Sequence, residues 1–172
     1  MTDVPASRSH PRIVVGVTLH QPDALLIRAA EFAGWLGAEM VCAHVDVARY
    51  TTAENPDGSV TSLPFDPDLP ELGEEIFDPV LARQIEATMR TQNVPWSLRA
   101  LAGEPVRALA HLADRLDARA IVVGTRETGR LTSVHDFFAG SVGLHLAHRQ
   151  HRPVLLIPLS PVGHDAQLPW EQ

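Results

Sequence analysis

The stretch from Ala118 to Leu159 limits the possible folds more than any other part of this chain. A β-branched apolar run, Ile121 to Val123, stops at Gly124, which is the pattern of a buried parallel strand. A polar loop follows, then a predicted helix from Val142 to His148 and a second apolar run from Val154 to Ile157. The order strand, glycine-containing loop, helix, strand predicts a parallel unit whose helix N-terminus can hold an anion.

The rest of the chain repeats this alternation of strands and helices. Strands are predicted at Arg12–Val17, Ala38–Val47, Trp96–Ala102, Ala120–Val123 and Val154–Pro158. A first helix is predicted at Ala24–Leu36 and ends before Gly37. A second is predicted at Leu72–Gln92, with Pro79 in its first turns or splitting it. A third is predicted after Gly103, with Pro105 near the first helical position. Alternating strands and helices imply parallel pairing through right-handed crossovers. The sequence therefore predicts a doubly wound α/β domain with an open parallel sheet.

Helical spacing of apolar residues predicts which helix faces are buried. The expected core residues of the helices are Leu25, Ala29, Phe32, Ala33, Leu36, Ile76, Val80, Ile85, Met89, Val106, Leu109, Ala110, Leu112, Ala113 and Leu116. Three segments outside this pattern are assigned by composition. Residues 1–11 are expected to be a disordered lead-in, residues 50–70 a proline-rich and mobile surface loop inserted in a single domain over 12–159, and residues 160–172 a polar tail.

Composition and charge exclude several classes of function. The chain has 172 residues, of which 45% are hydrophobic and 20% charged, a globular balance. The net charge of −7 argues against a sequence-independent nucleic-acid binder. No apolar run approaches the roughly 20 residues of a membrane span. The single cysteine, Cys42, cannot form an internal disulfide and is expected to be a small core residue, so the sequence predicts a cytoplasmic protein.

The loop after Gly124 carries the candidate binding chemistry. Gly140-Ser141-Val142 at a helix start would hold phosphate through backbone N–H groups and the serine hydroxyl, although Ser141 alone also fits a simple helix N-cap. Arg126 and Arg130 flank Gly129 and are suited to phosphate oxygens. The alternative for these arginines is pairing with neighbouring carboxylates or exposure to solvent.

Two other patterns indicate weaker hypotheses. Residues 139–143 come close to the Gly-x-Ser-x-Gly nucleophile elbow of hydrolases, but an elbow needs a strand that runs directly into the serine. His145, His148 and His151 are spaced by three and would share a broad helical face. Zinc would need a further ligand and converging geometry, so solvated histidines are the simpler interpretation.

These motifs resemble the C-terminal half of the universal stress protein family, whose signature is Gly-x2-Gly, nine residues, then Gly-Ser or Gly-Thr. Gly140-Ser141-Val142 and the segment 152–157 match it, and the resemblance covers Arg12 to Leu159. The chain departs from the signature in its first half, because Glu127 stands where the family has glycine and Gly124 to Gly140 is three residues too long. The family also has an aspartate after the first strand, where this chain has Thr18.

The resemblance implies a sheet in the order 3-2-1-4-5, a Rossmann-like fold of the adenine nucleotide alpha hydrolase-like type, and a homodimer paired through Val154 to Ile157. It implies a regulatory role in stress response with weak binding of ATP or AMP, at most slow hydrolysis, and no metal, since Thr18 lacks the carboxylate that attracts Mg²⁺. The alternatives are a nucleotide-free interaction protein and a hydrolase built on Ser141. The expected site residues are Val17, Thr18, Val45, Gly124, Arg126, Gly129, Arg130, Gly140, Ser141 and Val142.

Overall fold

The computed structural model of the chain describes residues 10–66, 77–125 and 134–159. The strands are β1 (Arg12–Val17), β2 (Glu39–Asp46), β3 (Arg49–Glu54), β4 (Val60–Pro64), β5 (Trp96–Ala102), β6 (Ala120–Thr125) and β7 (Val154–Pro158). The helices are α1 (Ala24–Leu36), α2 (Pro79–Met89), α3 (Pro105–Arg115) and α4 (Val134–Arg149). The predicted strands and the helices α1 and α3 are confirmed, apart from shifts at their ends. Helix α2 is shorter than the predicted Leu72–Gln92, since Phe77 and Asp78 are not helical, and residues 72–76 lie outside the described residues.

Five strands form one parallel sheet in the order β5-β2-β1-β6-β7. Numbered without the β3–β4 pair, this is the order 3-2-1-4-5 that the family resemblance implied. Strand β1 lies in the centre, and Ile13, Val14 and Val15 are completely buried. Their side chains alternate between the two faces, so both faces of the sheet need a covering layer.

Two helices cover each face of the sheet. Side chains of α1 and α2 pack with Ile13 and Val15 on one face, while side chains of α3 and α4 pack with Val14 and Ile121 on the other. Cys42 is buried in the α1–α2 layer, as predicted, and burial raises the pKa of its thiol to about 12.

Among the described residues, no helix is both long and apolar enough to cross a bilayer.

A polar cluster links three neighbouring strands at the amino end of the sheet. Glu39 accepts hydrogen bonds from Arg12 at 3.1 Å and from the Ser97 hydroxyl at 2.8 Å. Although burial raises the pKa of Glu39, the bonds from Ser97 and Arg12 outweigh it and lower the pKa below its ordinary value. The cluster therefore supports the register in which Arg12 lies beside Glu39.

The predicted helix faces need small corrections. In α1, Leu26 and Ala30 are buried in addition to the predicted set, and Leu36 is 42% exposed because it is the last residue before Gly37. Helix α2 begins at Pro79, since the Asp78 carboxylate accepts from the backbone N–H groups of Val80 and Leu81. This start exposes Val80 and buries Leu81 instead. Ile76 lies outside the described residues.

The prediction of a mobile loop over residues 50–70 is wrong for most of that segment. Strands β3 and β4 form an antiparallel hairpin, with Tyr50 opposite Leu63 and Glu54 opposite Val60. The tip is Asn55-Pro56-Asp57-Gly58, in which the Gly58 N–H donates to the Asn55 carbonyl at 3.0 Å. Proline at the second and glycine at the fourth position favour such a turn, so Pro56 serves the hairpin instead of breaking it.

Helix α4 begins eight residues earlier than predicted. It runs from Val134 to Arg149, so Gly140, Ser141 and Val142 lie inside the helix and not at its start. Glycine weakens a helix interior by roughly 1 kcal/mol but does not end it.

Candidate functional site

The carboxyl ends of the central strands form the candidate site. Strands β1 and β6 are neighbours, but β1 continues into α1 on one face and β6 leads to α4 on the other. Open α/β sheets bind ligands in the crevice where the connections of two neighbouring strands leave on opposite faces, outside the carboxyl ends of the strands. The fold therefore marks the region next to Val17 and Gly124.

His44 closes one side of this region at the end of β2. Its Nδ1 donates to the Val17 carbonyl at 3.1 Å, and its ring contacts Phe77 edge-on with centroids 6.1 Å apart. Asp78 follows directly, and its pKa is lowered, first by the hydrogen bond from the Leu81 N–H and then by that of Val80, with His44 adding a charge effect. These contacts join the end of β1 to the start of α2.

The loop between β1 and α1 is organised by Gln21. Its Oε1 accepts from the Thr18 N–H at 3.1 Å and lies 3.4 Å from the Thr18 hydroxyl. Gln84 of α2 donates to the Gln21 carbonyl at 3.0 Å and to the Asp23 carboxylate at 2.9 Å. Thr18 is itself exposed, so the loop presents it at the rim of the site, where the Gln21 side chain accepts its hydrogen bonds.

The side-chain amide nitrogen of Gln21 is an unpaired donor. Within the described residues, Gln21 Nε2 is the buried side-chain polar atom that has no hydrogen-bond partner. The amide cannot be turned over to relieve this, because the Thr18 N–H requires the oxygen on its side. An unsatisfied buried donor costs about 1–3 kcal/mol, and an acceptor brought by a ligand or water would recover part of it.

Val45 and Val17 do not come together as predicted. Val17 packs in the α1–α2 layer, whereas Val45 packs against the α3–α4 layer on the opposite face. Beyond Val45, Asp46 ends β2, and its carboxylate accepts from the Ala48 N–H at 2.8 Å. The side chain of His44, and not that of Val45, lies on the same face of the sheet as Val17, because the register pairs Val17 with His44.

Gly124 lies at the end of β6, beside Ile157 of β7. A Cβ added at Gly124 would stand 2.6 Å from a methyl group of Leu159. Packing against Leu159 therefore explains this glycine without a ligand. The same holds for Gly143, where an added Cβ would stand 2.2 Å from a methyl group of Leu156, so glycine lets α4 lie close to β7.

The phosphate-binding prediction for Gly140-Ser141-Val142 needs correction. Inside α4 their N–H groups bond to carbonyls one turn earlier and are not available to an anion. Val142 packs against the α3–α4 layer. The serine is also not preceded directly by a strand, so Ser141 does not form the nucleophile elbow that a hydrolase would need.

Four of the loop residues, Arg126, Glu127, Gly129 and Arg130, lie outside the described residues. His145, His148 and His151 are exposed, and His151 follows the end of α4, so the three do not share a helical face. In the described part of the chain, no group of three or more histidine, cysteine or carboxylate side chains is placed to hold a metal ion.

Sequence reasoning missed two polar residues at this edge, His44 and Gln21. The alternation in β2 placed His44 on the same face as Cys42, and with the register known this is also the face of Val17. Gln21 had no comparable signal, because its role depends on the path of the loop after Thr18. Both contacts need the tertiary structure.

A comparison against known protein families agrees with the fold. The model of the universal stress protein family matches residues 10–158, so this chain belongs to the universal stress protein family. A search of curated proteins finds no match.

Solved structures with the same fold are distant in sequence. A universal stress protein in complex with cAMP is 23% identical, with a TM-score of 0.55 over 88% of this chain and 98% of that one. A universal stress protein from Archaeoglobus fulgidus in complex with dAMP is 20% identical, with a TM-score of 0.52 over 86% of this chain and 98% of that one. A family member from Burkholderia pseudomallei is 22% identical, with a TM-score of 0.57 over 87% and 96%. At these identities the likeness supports the fold.

Proposed function

We propose that this universal stress protein is a regulatory stress-response module that binds an adenine nucleotide, ATP or AMP, weakly at the carboxyl edge between β1 and β6. The observation that carries the proposal is the switch point between these parallel strands, whose connections leave on opposite faces of the sheet, with the unpaired amide nitrogen of Gln21 next to it. Family members of known structure that hold cAMP and dAMP support the choice of ligand.

The proposed site combines the described edge with the loop that follows Gly124. The backbone at Val17 and the side chains of Thr18 and Gln21 are proposed to face the nucleoside, with His44 instead of Val45 beside them. The Val17 side chain is itself buried in the α1–α2 layer. Arg126, Gly129 and Arg130 are proposed phosphate contacts, on the sequence argument alone. Of the Gly140-Ser141-Val142 segment, the proposal keeps the Ser141 hydroxyl as a phosphate contact, on the sequence argument alone.

Three features make the proposed binding weak. Thr18 supplies no carboxylate for a metal-bound phosphate, and Glu127 places a negative charge where the family has glycine. The N–H groups of Gly140 and Ser141 are used within α4. Each lost hydrogen bond to a charged group removes roughly 1.5–3 kcal/mol, so two losses weaken binding about a hundredfold or more.

The same features favour a second candidate function, a nucleotide-free interaction protein. Packing against Leu159 and Leu156 explains Gly124 and Gly143 without a ligand. The backbone N–H groups that a phosphate would use are hydrogen-bonded within α4. In this alternative the edge is empty or takes another ligand. Nucleotide titration separates the two candidates.

Isothermal titration with ATP and AMP, each with and without Mg²⁺, tests the first candidate. We expect dissociation constants in the micromolar to millimolar range that do not change with Mg²⁺. Submicromolar binding that depends on Mg²⁺ would contradict the weak site, and no binding at millimolar nucleotide would favour the nucleotide-free protein. Glu127→Gly should tighten binding, and Glu127→Gln shows whether the charge or the Cβ is responsible.

Two substitutions at the β1 end test the geometry. Thr18→Asp should make ATP binding respond to Mg²⁺, whereas the uncharged control Thr18→Asn should not. Gln21→Glu keeps an oxygen acceptor for the Thr18 N–H but removes the unpaired donor. If that donor serves the nucleotide, affinity falls by at least about threefold, as expected for one hydrogen bond, and the added negative charge increases the loss. The melting temperature should fall as well, because a carboxylate replaces a buried amide.

We also propose that the protein is a homodimer paired through Val154–Ile157 of β7. This strand is at the end of the sheet, and Leu156 is 47% exposed on it. An open apolar edge favours pairing with another strand. Light scattering at micromolar concentration should give twice the chain mass, and Leu156→Lys should reduce it to one. The control Ile27→Lys, on the exposed side of α1, should leave the dimer intact, and a monomeric wild-type chain would contradict the proposal.

A further inference from the structure

The two edges of the main sheet are covered differently. In the described residues, no strand lies beyond β7, and Leu156 is exposed there. Beside β5, at the opposite edge, lies the β3–β4 hairpin, which forms a separate two-stranded sheet and packs against β5 and α3. An uncovered edge strand is a template for pairing with another chain, so this difference bears on how copies of the chain associate.

Arg99 joins the edge strand to the hairpin. Its Nη1 donates to the carbonyl of Leu98 in β5 at 2.6 Å, and its Nε donates to the carbonyl of Asp57 at the hairpin tip at 2.6 Å. The Asp57 carboxylate lies 3.6 Å from the same guanidinium. One largely buried arginine therefore occupies a carbonyl acceptor of β5 and holds the hairpin tip beside that strand.

Apolar contacts hold the same hairpin against α3. A Cβ added at Gly58 would stand 2.6 Å from a methyl group of Leu112, which shows how closely the tip backbone approaches the helix. Val60 and Ser62 of β4 are buried, and Val60 belongs to the α3–α4 layer of the core. The hairpin thus extends the core past β5.

A polar contact adds to this attachment further along β3. The Glu54 carboxylate lies 2.8 Å from His111 Nε2 and 3.8 Å from Arg115, both on α3. These groups are partly exposed, so the contact orients the hairpin more than it strengthens it. The hairpin is therefore attached to both elements that flank the edge, β5 through Arg99 and α3 through Leu112 and Glu54.

We infer that the hairpin and Arg99 close the β5 edge to strand addition, so that a second copy of this chain can pair with the sheet only at β7. With one open edge, pairing about a two-fold axis uses that edge in both copies and stops at two. With both edges open, each copy would have two pairing sites and assembly would continue. The inference depends on the proposed β7 pairing only for the final size of the assembly.

A double variant, Arg99→Leu with Gly58→Val, opens the edge in the full chain. The first change removes the bonds to Leu98 and Asp57, and the second pushes the hairpin tip away from Leu112. The matched control is Arg28→Leu, which removes an exposed arginine of α1 that pairs only with Glu31 among the described residues. Circular dichroism verifies that each variant is folded.

Light scattering over a concentration series gives the result. We expect the mass of the double variant to rise with concentration beyond two chains, while the wild type and Arg28→Leu reach a constant mass. A folded double variant with the wild-type mass at every concentration would overturn the inference. If the double variant does not fold, Arg99→Leu alone decides by the same criterion.

The measurement also separates this inference from the β7 dimer. If β7 does not pair, the wild type is a monomer, and a closed β5 edge still predicts that the double variant associates. A monomeric double variant would then overturn the closed edge as well. If β7 pairs and the double variant stays at two chains, only the closed edge is wrong.

Discussion

The inner strands of the sheet and the β3–β4 hairpin are stabilised in different ways. Ile13, Val14 and Val15 of β1 are buried on both faces of the sheet. In the hairpin one side is buried, at Val60 and Ser62, and the other side exposes apolar residues, namely Tyr50, Leu63 and Phe65. Burial on both faces gives the inner strands most of their stability, whereas the hairpin depends on one face and on exposed polar contacts. The hairpin should therefore open locally before the sheet unfolds.

The largest expected difference comes from shortening an apolar side chain in each region. Ile121→Ala removes a fully buried side chain from β6 and should lower the free energy of unfolding by about 2–5 kcal/mol. Leu63→Ala in the hairpin, where the side chain is 42% exposed, should cost less than about 1.5 kcal/mol. Urea denaturation measures both. Equal losses would show that the hairpin belongs to the same cooperative core.

A smaller effect is expected from adding a methyl group at a hairpin glycine. Gly58 and Gly103 have φ of +89° and +96°, so alanine is strained at both by about 1–3 kcal/mol. Only at Gly58 does the added carbon meet Leu112. We expect Gly58→Ala to be the more destabilising by about 1 kcal/mol or more, and to increase amide hydrogen exchange within 49–64. The control Gly103→Ala should leave that exchange unchanged. Identical behaviour of the two variants would mean that the tip is not held by α3.

The smallest expected effect is a loss of hairpin protection in acid. The pKa of Glu54 is lowered chiefly by its hydrogen bond with His111, and that of Asp57 chiefly by the Ser59 hydroxyl. Because both folded pKa values lie below the unfolded ones, their stabilisation is present above the unfolded pKa values and is lost as pH falls through the folded ones. Exchange protection within 49–64 should therefore fall below about pH 4. Protection in β1 should outlast it, because β1 loses the Glu39 contacts in the same range but stays buried on both faces. Simultaneous loss in both regions would remove the distinction between them.

The difference between burial on two faces and burial on one face also explains which parts of the fold could be predicted from the sequence. The strands of the main sheet appear as continuous apolar runs because both of their faces are buried, and α1 and α3 appear as apolar stripes. The hairpin does not follow from the sequence, because only one of its faces is buried and its turn, Asn55 to Gly58, has the composition of a loop. The start of α4 does not follow either, because Gly140 is typical of a helix boundary.

The candidate site was only partly predictable. The position of Val17, Thr18 and Gly124 at the carboxyl ends of strands followed from strand order, because such ends meet at one edge of a parallel sheet. The partners at that edge did not follow. Val45 lies on the other face from Val17, and His44 takes its place, because strand register decides which side chains meet.

Local spacing in the sequence is enough to identify this chain as an alternating α/β domain, because burial on both faces imposes long apolar runs whatever the neighbours are. The order of the strands in the sheet was implied by the family resemblance and not by local spacing. Only the tertiary structure decided that the amide nitrogen of Gln21 has no hydrogen-bond partner and that Arg99 joins β5 to the hairpin tip, 42 residues earlier in the chain. Both depend on which distant groups are brought within hydrogen-bonding distance, and no periodicity along the chain records that.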